Sequence, residues 1–260
     1  MHTTLLDTHL HLYPTYDLSH AFNTLLDRST GLGEQVSRAA CLAERHDCQY
    51  FERLRDGDIK LDGFVLECPE ENEISLIRDK DGLSLAVLPG RQVITRENIE
   101  ILALACPEMI DDGQPALDII FQLNQLNRIP VLTWSPGKWF GKRGELVKRL
   151  INELDKQDFL IGDTTLRPYG WPTPRLMKRA QDIGFAIVAG SDPLPFSGEE
   201  SWLGAYYTVV ESETALSATA LLHAMKQGDE TLKWRNEGKR SNPLSLFNRL
   251  RKNAASKKGS

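Results

Sequence analysis

Short apolar runs and helix-period stretches take turns along most of this chain. TTLLDTHLHL, residues 3–12, predicts a strand, and residues 18–28 predict a helix with Leu18, Ala21, Phe22, Leu25 and Leu26 on one face. RAACLAE (38–44) reads as a second strand and CQYFERLRDG (48–57) as a short helix closed by Gly57. A β-rich stretch follows in DGFVLEC, EISLIRD and LSLAVLPGRQVIT, with DKDG (79–82) as a hairpin turn between the last two. From residue 113 the alternation resumes: helix 116–127, strand 129–135, helix 144–156, strand 158–165. The next helix, 173–184, carries its own punctuation, with Thr173 as cap, Pro174 at the first helical position and Gly184 at the end. FAIVAGSD (185–192) is another strand, AYYTVVES (205–212) a further candidate, and residues 213–228 a strong helix.

Strands that alternate with helices imply crossovers and a parallel sheet. The count of about six to eight such units fits a closed, TIM-like (β/α) barrel over residues 1–235 better than two domains. An open doubly wound sheet is the alternative on pattern alone. Residues 236–260 break the pattern with a Lys/Arg/Ser/Asn bias. They are expected to form a basic, flexible tail, although LSLFNRL (244–250) could make a short docking helix.

Composition narrows the class without naming it. A hydrophobic fraction of 41% with 26% charged residues is that of a globular protein with a sizeable core. The formal net charge of −5 argues against a general nucleic-acid surface, so no nucleic-acid partner is expected. Cys41, Cys48, Cys68 and Cys106 are scattered without a CxxC pair, which reads as reduced thiols in a cytoplasmic protein. No apolar run approaches the roughly 18 residues of a membrane span. Asp7 also interrupts the N-terminal stretch too early for a signal peptide.

In such a barrel the chemistry sits where strands end, and polar residues gather there. His9 and His11 end the first strand, two apart, so one strand face aims both imidazoles at a single point. Glu44, Arg45 and His46 end the second; Gln92, Trp134, Ser135, Asp163, Ser191 and Asp192 end later ones. His2, His20 and His223 are read as ordinary hydrogen-bonded histidines, and Asp192 could instead cap a turn. A Ser/His/Asp triad from Ser191, His46 and Asp17 lacks any GxSxG elbow. Aromatic residues (Trp134, Trp139, Phe140, Tyr169, Trp171, Phe196, Trp202) with Arg91 and Arg167 suit a planar or anionic small ligand.

The motif DTHLHLYPTYD resembles the opening Asp-x-His-x-His of the PHP (polymerase and histidinol phosphatase) family of metal-dependent phosphoesterases. AVLPGRQVITRENIEILALA, PVLTWSPG and IVAGSDPLP are similar to that family's later motifs in the same order, across about residues 5–195. The resemblance implies a distorted seven-stranded barrel and up to three divalent ions that polarise a phosphate and generate hydroxide. It maps metal ligands onto His9, His11 and Asp192, and keeps Asp17 and His46. The chain departs from it where Gln92 replaces a bridging glutamate, Trp134 or Ser135 a histidine, and Leu194 the final histidine.

One divalent ion (Mn, Zn or Fe) is therefore expected, on His9, His11 and Asp192 with Gln92 as a neutral fourth ligand. His46 or Asp17 would handle a proton, and Arg91 or Arg167 would supply positive charge. The expected function is hydrolysis of a small phosphorylated substrate. The alternative is a catalytically inactive descendant that binds a ligand or partner; fold alone does not separate the two.

Overall fold

The computed structural model describes residues 1–28 and 36–256. A seven-stranded sheet contains β1 (His2–Leu10), β2 (Val36–Leu42), β3 (Phe64–Glu70), β4 (Glu73–Arg78), β5 (Ser84–Leu88), β11 (Tyr206–Ser212) and β12 (Lys233–Gly238), in the order β12-β11-β1-β2-β5-β4-β3. A five-stranded sheet, ordered β10-β9-β8-β7-β6, contains β6 (Gly90–Ile94), β7 (Glu100–Leu104), β8 (Ile129–Thr133), β9 (Leu160–Thr164) and β10 (Ile187–Gly190). The helices are α1 (Leu18–Asp27), α2 (Tyr50–Arg55), α3 (Ala116–Gln125), α4 (Gly141–Glu153), α5 (Arg175–Asp182), α6 (Ala218–Gln227) and α7 (Pro243–Ser256).

The expected closed (β/α)7 barrel of PHP type is not formed; both sheets are open. The cause is local. Between α2 and α3 five strands follow one another with no helix between them. Strands joined without a crossover return antiparallel, as β3–β4, β4–β5 and β6–β7 do, and β8 also lies antiparallel to β7 although α3 stands between them. At the other end β11 lies antiparallel to β1, with Leu5 opposite Val209. Among the described residues parallel pairing joins β1–β2, β2–β5, β8–β9 and β9–β10, and an isolated parallel bridge joins Glu44 to Arg91 of β6.

Both sheets contribute to one apolar cluster. Leu6, Ala39 and Val210 from the first meet Leu102, Val131, Leu160 and Val188 from the second, and α6 adds Leu221, Leu222 and Met225. Helices α3 and α4 cover the far face of the five-stranded sheet through Ile119, Ile120, Val147 and Ile151. Helices α1 and α2 cover the larger one through Phe22, Leu26, Phe51 and Leu54. The segment read as a basic tail contains part of β12 and the whole of α7, and residues 257–260 lie outside the described residues. Leu246 of α7 packs with Leu166 and Leu194. Among the described residues no helix is long and apolar enough to cross a membrane.

The sheets touch edge to edge at the end of β10. There the backbone of Gly190 lies so close to β1 that an added Cβ would stand 2.3 Å from His9 Cβ and 2.4 Å from His9 N. Neither neighbour can swing away, because both belong to a paired strand. Gly190→Ala is therefore expected to destabilise the protein by about 3 kcal/mol, the upper end of ordinary overpacking costs. Denaturant unfolding checks this; a loss below about 1 kcal/mol would mean that β10 gives way freely.

Candidate metal centre

β1 is an almost continuous run of buried residues, so its end is fixed from both faces and its last side chains have little freedom. His9, on β1, and His11, just beyond it, are both buried. Their rings meet edge to face at 4.9 Å and their Nε2 atoms stand 3.0 Å apart. Asp192, just past β10, places Oδ1 at 3.6 Å from His9 Nε2 and 3.8 Å from His11 Nε2. The Asp192 backbone is left-handed, with φ 46°, and its N–H donates to His9 O at 2.8 Å. Aspartate is one of the few residues that tolerates this region, and such strain clusters at functional sites.

Asp7 braces the arrangement without joining it. Its Oδ1 accepts from His9 N and Ser191 N, and its Oδ2 accepts from Gly204 N. Thus the first residue of the Asp-x-His-x-His motif ties β1 to the segments that follow β10 and precede β11.

Burial sets the protonation states. It pushes His9 down to about 4 and His11 down to about 3, His11 being opposed further by its neighbour His9. It raises Asp192 to about 6, against the pull of His11. At neutral pH the site therefore holds two neutral imidazoles and one carboxylate, the state in which these groups ligate a divalent cation. Two Nε2 lone pairs cannot face each other at 3.0 Å, so without a cation one ring must donate to the other. A cation between them would let both act as acceptors, and His9 Nδ1 is buried with no hydrogen-bond partner among the described residues. His9, His11 and Asp192 could hold a metal ion, and the donor set fits one.

Other groups frame the cluster. Tyr13 lies 5.6 Å from His11, ring to ring. Glu100, on β7, acts electrostatically on both His9 and Asp192; it accepts from Ser135 Oγ at 2.7 Å and sits 3.6 Å from Lys138 Nζ. Arg45, paired with Asp47, acts on His11 and Tyr13.

Of the four expected ligands, the structure brings His9, His11 and Asp192 together. Gln92 sits half-buried on β6, and its side chain forms no hydrogen bond among the described residues. The residues expected to do chemistry are placed differently. His46 is 70% exposed and faces Asp112. Asp17 caps α1, accepting from His20 N. Arg91 is buried in an ion-pair network with Glu44 and Glu52 and donates to the carbonyls of Cys48 and Pro107. Arg167 is forked onto Asp163, which also accepts from Tyr206 Oη. Glu100 and Lys138 are not singled out by the sequence, because nothing along the chain brings them near residue 9, whereas Tyr13 lies within the DTHLHLYPTYD motif itself. Glu100 lay inside the stretch similar to the PHP motifs, which was the one available signal.

The fold and site together define a mixed α/β protein with a buried His–His–Asp cluster where two open sheets meet. No family model matches the chain, and no curated protein sequence does. Solved structures do. The crystal structure of PsfC from Pseudomonas syringae PB-5123 superposes with a TM-score of 0.60 at 16% identity, covering 100% of both chains. The lesion-specific endonuclease PfuEndoQ from Pyrococcus furiosus gives 0.52 at 12% identity, over 91% of this chain and 59% of that one. Endonuclease Q in complex with a 27-mer duplex substrate with an abasic lesion at the active site gives 0.48 at 11% identity, over 89% and 57%. These likenesses are of fold. They also correct one expectation: a lesion-specific endonuclease shares this fold, so the exclusion of nucleic acid drawn from net charge does not stand. Net charge averages over the whole surface and hides a local basic segment.

Proposed function

We propose that this protein is a hydrolase of phosphoesterase type that works with a single divalent ion at His9, His11 and Asp192. The observation that carries the reading is the buried cluster itself, whose three groups converge and are in their ligating states at neutral pH. The PHP-like motifs and the fold shared with an endonuclease support it. Bound there, a manganese, zinc or iron ion would supply Lewis acidity and a more acidic water.

The chain's own residues divide the remaining work. Asp192 contributes the one anionic donor, held in place by its bond to His9 O. Glu100, oriented by Ser135 and Lys138, is the carboxylate assigned to receive a proton. Arg45 and Lys138 bring positive charge towards a phosphoryl group, whereas Arg91 and Arg167 are engaged in buried pairs.

A second reading, a ligand-binding protein without catalysis, is favoured by Gln92, Trp134 and Leu194 where the family has ligands. The test is a phosphoester panel with added manganese, comparing wild type with His9→Ala/His11→Ala. Weak turnover of simple esters is expected, falling at least about 100-fold in the double variant, as when one transition-state charge contact is lost. Strong turnover that survives the substitutions would remove the metal from the reaction. Metal uptake without turnover on any ester would select the second reading.

A further inference from the structure

We propose that α7 and the loop before α5 form a binding surface for single-stranded nucleic acid. Three exposed aromatic rings lie there: Tyr169 at 74%, Trp171 at 53% and Phe247 at 63% exposure. The loop is fixed at both ends. Tyr169 N donates to Ser241 O at 2.7 Å, and Arg167 Nη1 donates to Trp171 O at 3.2 Å. The aromatic loop is therefore held against the segment that leads into α7.

The same segment is rich in unpaired cations. From Gly238 to Ser256 there is no Asp or Glu. Nearby arginines are neutralised: Arg167 by Asp163, Arg235 by Glu211 and Glu237, Arg249 by Glu199. Lys239, Arg240, Arg251 and Lys252 have no carboxylate partner among the described residues. Arg240 stacks over Tyr206 at 5.7 Å, and its Nη1 is buried without a hydrogen bond among the described residues. Lys252 lies over Phe196 at 5.8 Å.

Exposed rings beside free cations are what a single strand uses, bases stacking on the rings and phosphates meeting the cations. A duplex keeps its base faces stacked and would leave the rings idle. A membrane surface fits poorly, because Leu246 and Leu250 of α7 face Leu166 and Leu194, leaving outward a mixture of Leu244, Phe247, Asn248 and Arg251. The surface also leads to the metal centre, since Leu194, under α7, is two residues from Asp192. That the bound strand offers a phosphodiester to the cluster rests on the phosphoesterase reading; the binding does not.

The experiment is fluorescence anisotropy of a labelled 20-nucleotide oligothymidylate with the full chain in EDTA. Binding is expected at 50 mM salt and should weaken about 50-fold by 200 mM if all four cations contact phosphates. Trp171→Ala should weaken it about 10-fold, the usual effect of losing one stacking ring, and Arg251→Glu/Lys252→Glu should reduce it further. These side chains are on the surface, and an unchanged melting temperature confirms folding. His9→Ala/His11→Ala should bind as wild type does; if wild type binds but leaves the strand uncleaved when manganese replaces EDTA, the binding surface stands and the strand is not a substrate of the cluster. No binding at 50 mM salt, or binding that ignores both sets of substitutions, would overturn the proposal. So would binding to phosphatidylserine vesicles without binding to the oligonucleotide.

Discussion

One tightly held divalent ion per chain is expected for the wild type after incubation with manganese or zinc and dialysis, and none for His9→Ala/His11→Ala. The double variant keeps only Asp192, and one carboxylate in a buried setting cannot replace two imidazoles. Loss of an outer-sphere partner alone costs about 10–100-fold in affinity, so loss of two direct ligands should take binding below detection. The upper limit of one rests on the absence of other donors. Among the described residues His9, His11 and Asp192 are the only group of three or more His, Cys, Asp or Glu side chains that converge. Elemental analysis checks both halves. Two or three ions at full occupancy would show that further residues, Glu100 first among them, act as ligands.

The second large effect is expected away from the cluster. Arg249 of α7 and Glu199 are both buried and joined by three bonds: Nε to both carboxylate oxygens and Nη2 to Oε2 at 2.7 Å. Glu199 Oε2 also accepts from Leu194 N, Arg249 Nη1 donates to Thr165 Oγ1, and the guanidinium lies 4.3 Å from the Trp202 ring. Such a pair contributes little net stability against an apolar substitute, but half of it is costly. Glu199→Ala would strand a buried guanidinium and is expected to cost about 3–5 kcal/mol. At 2–4 °C per kcal/mol for a chain of this size, the melting temperature should fall by about 10 °C. Glu199→Leu/Arg249→Met should cost less than Glu199→Ala alone. Thermal unfolding of the three chains decides, and a loss below about 1 kcal/mol for Glu199→Ala would mean that water reaches the pair.

Periodicity placed most elements well. The run around residues 3–12 became β1, the Thr173-Pro174 signal preceded α5, and the DKDG turn joined β4 to β5 with Ile77 opposite Ser84. Strand direction was the illegible part. A strand's own residues do not record whether its neighbour runs parallel, and the pairs β3–β4, β4–β5, β6–β7 and β7–β8 are all antiparallel, leaving open sheets. At the site, spacing sufficed for His9 and His11 because one strand end carries both. It failed for His46, since a residue just past a strand can turn outward, and this one faces Asp112. It failed also for the arginines. Sequence shows their charge and hides the buried carboxylates, Glu44 and Asp163, that consume it. Glu100 reaches the cluster from a different sheet, through contacts that no local pattern encodes.

The left-handed backbone at Asp192 has an evolutionary consequence. Asn and Gly are the residues best suited to φ 46°, and each is one base change from either aspartate codon. Either replacement would fit the turn and would remove a carboxylate that burial already disfavours, as its raised pKa shows. The one carboxylate of the three-residue cluster could thus be replaced without straining the backbone that carries it. On the single-ion reading, a lineage with this fold could lose its metal by one base change that leaves the turn at residue 192 unstrained.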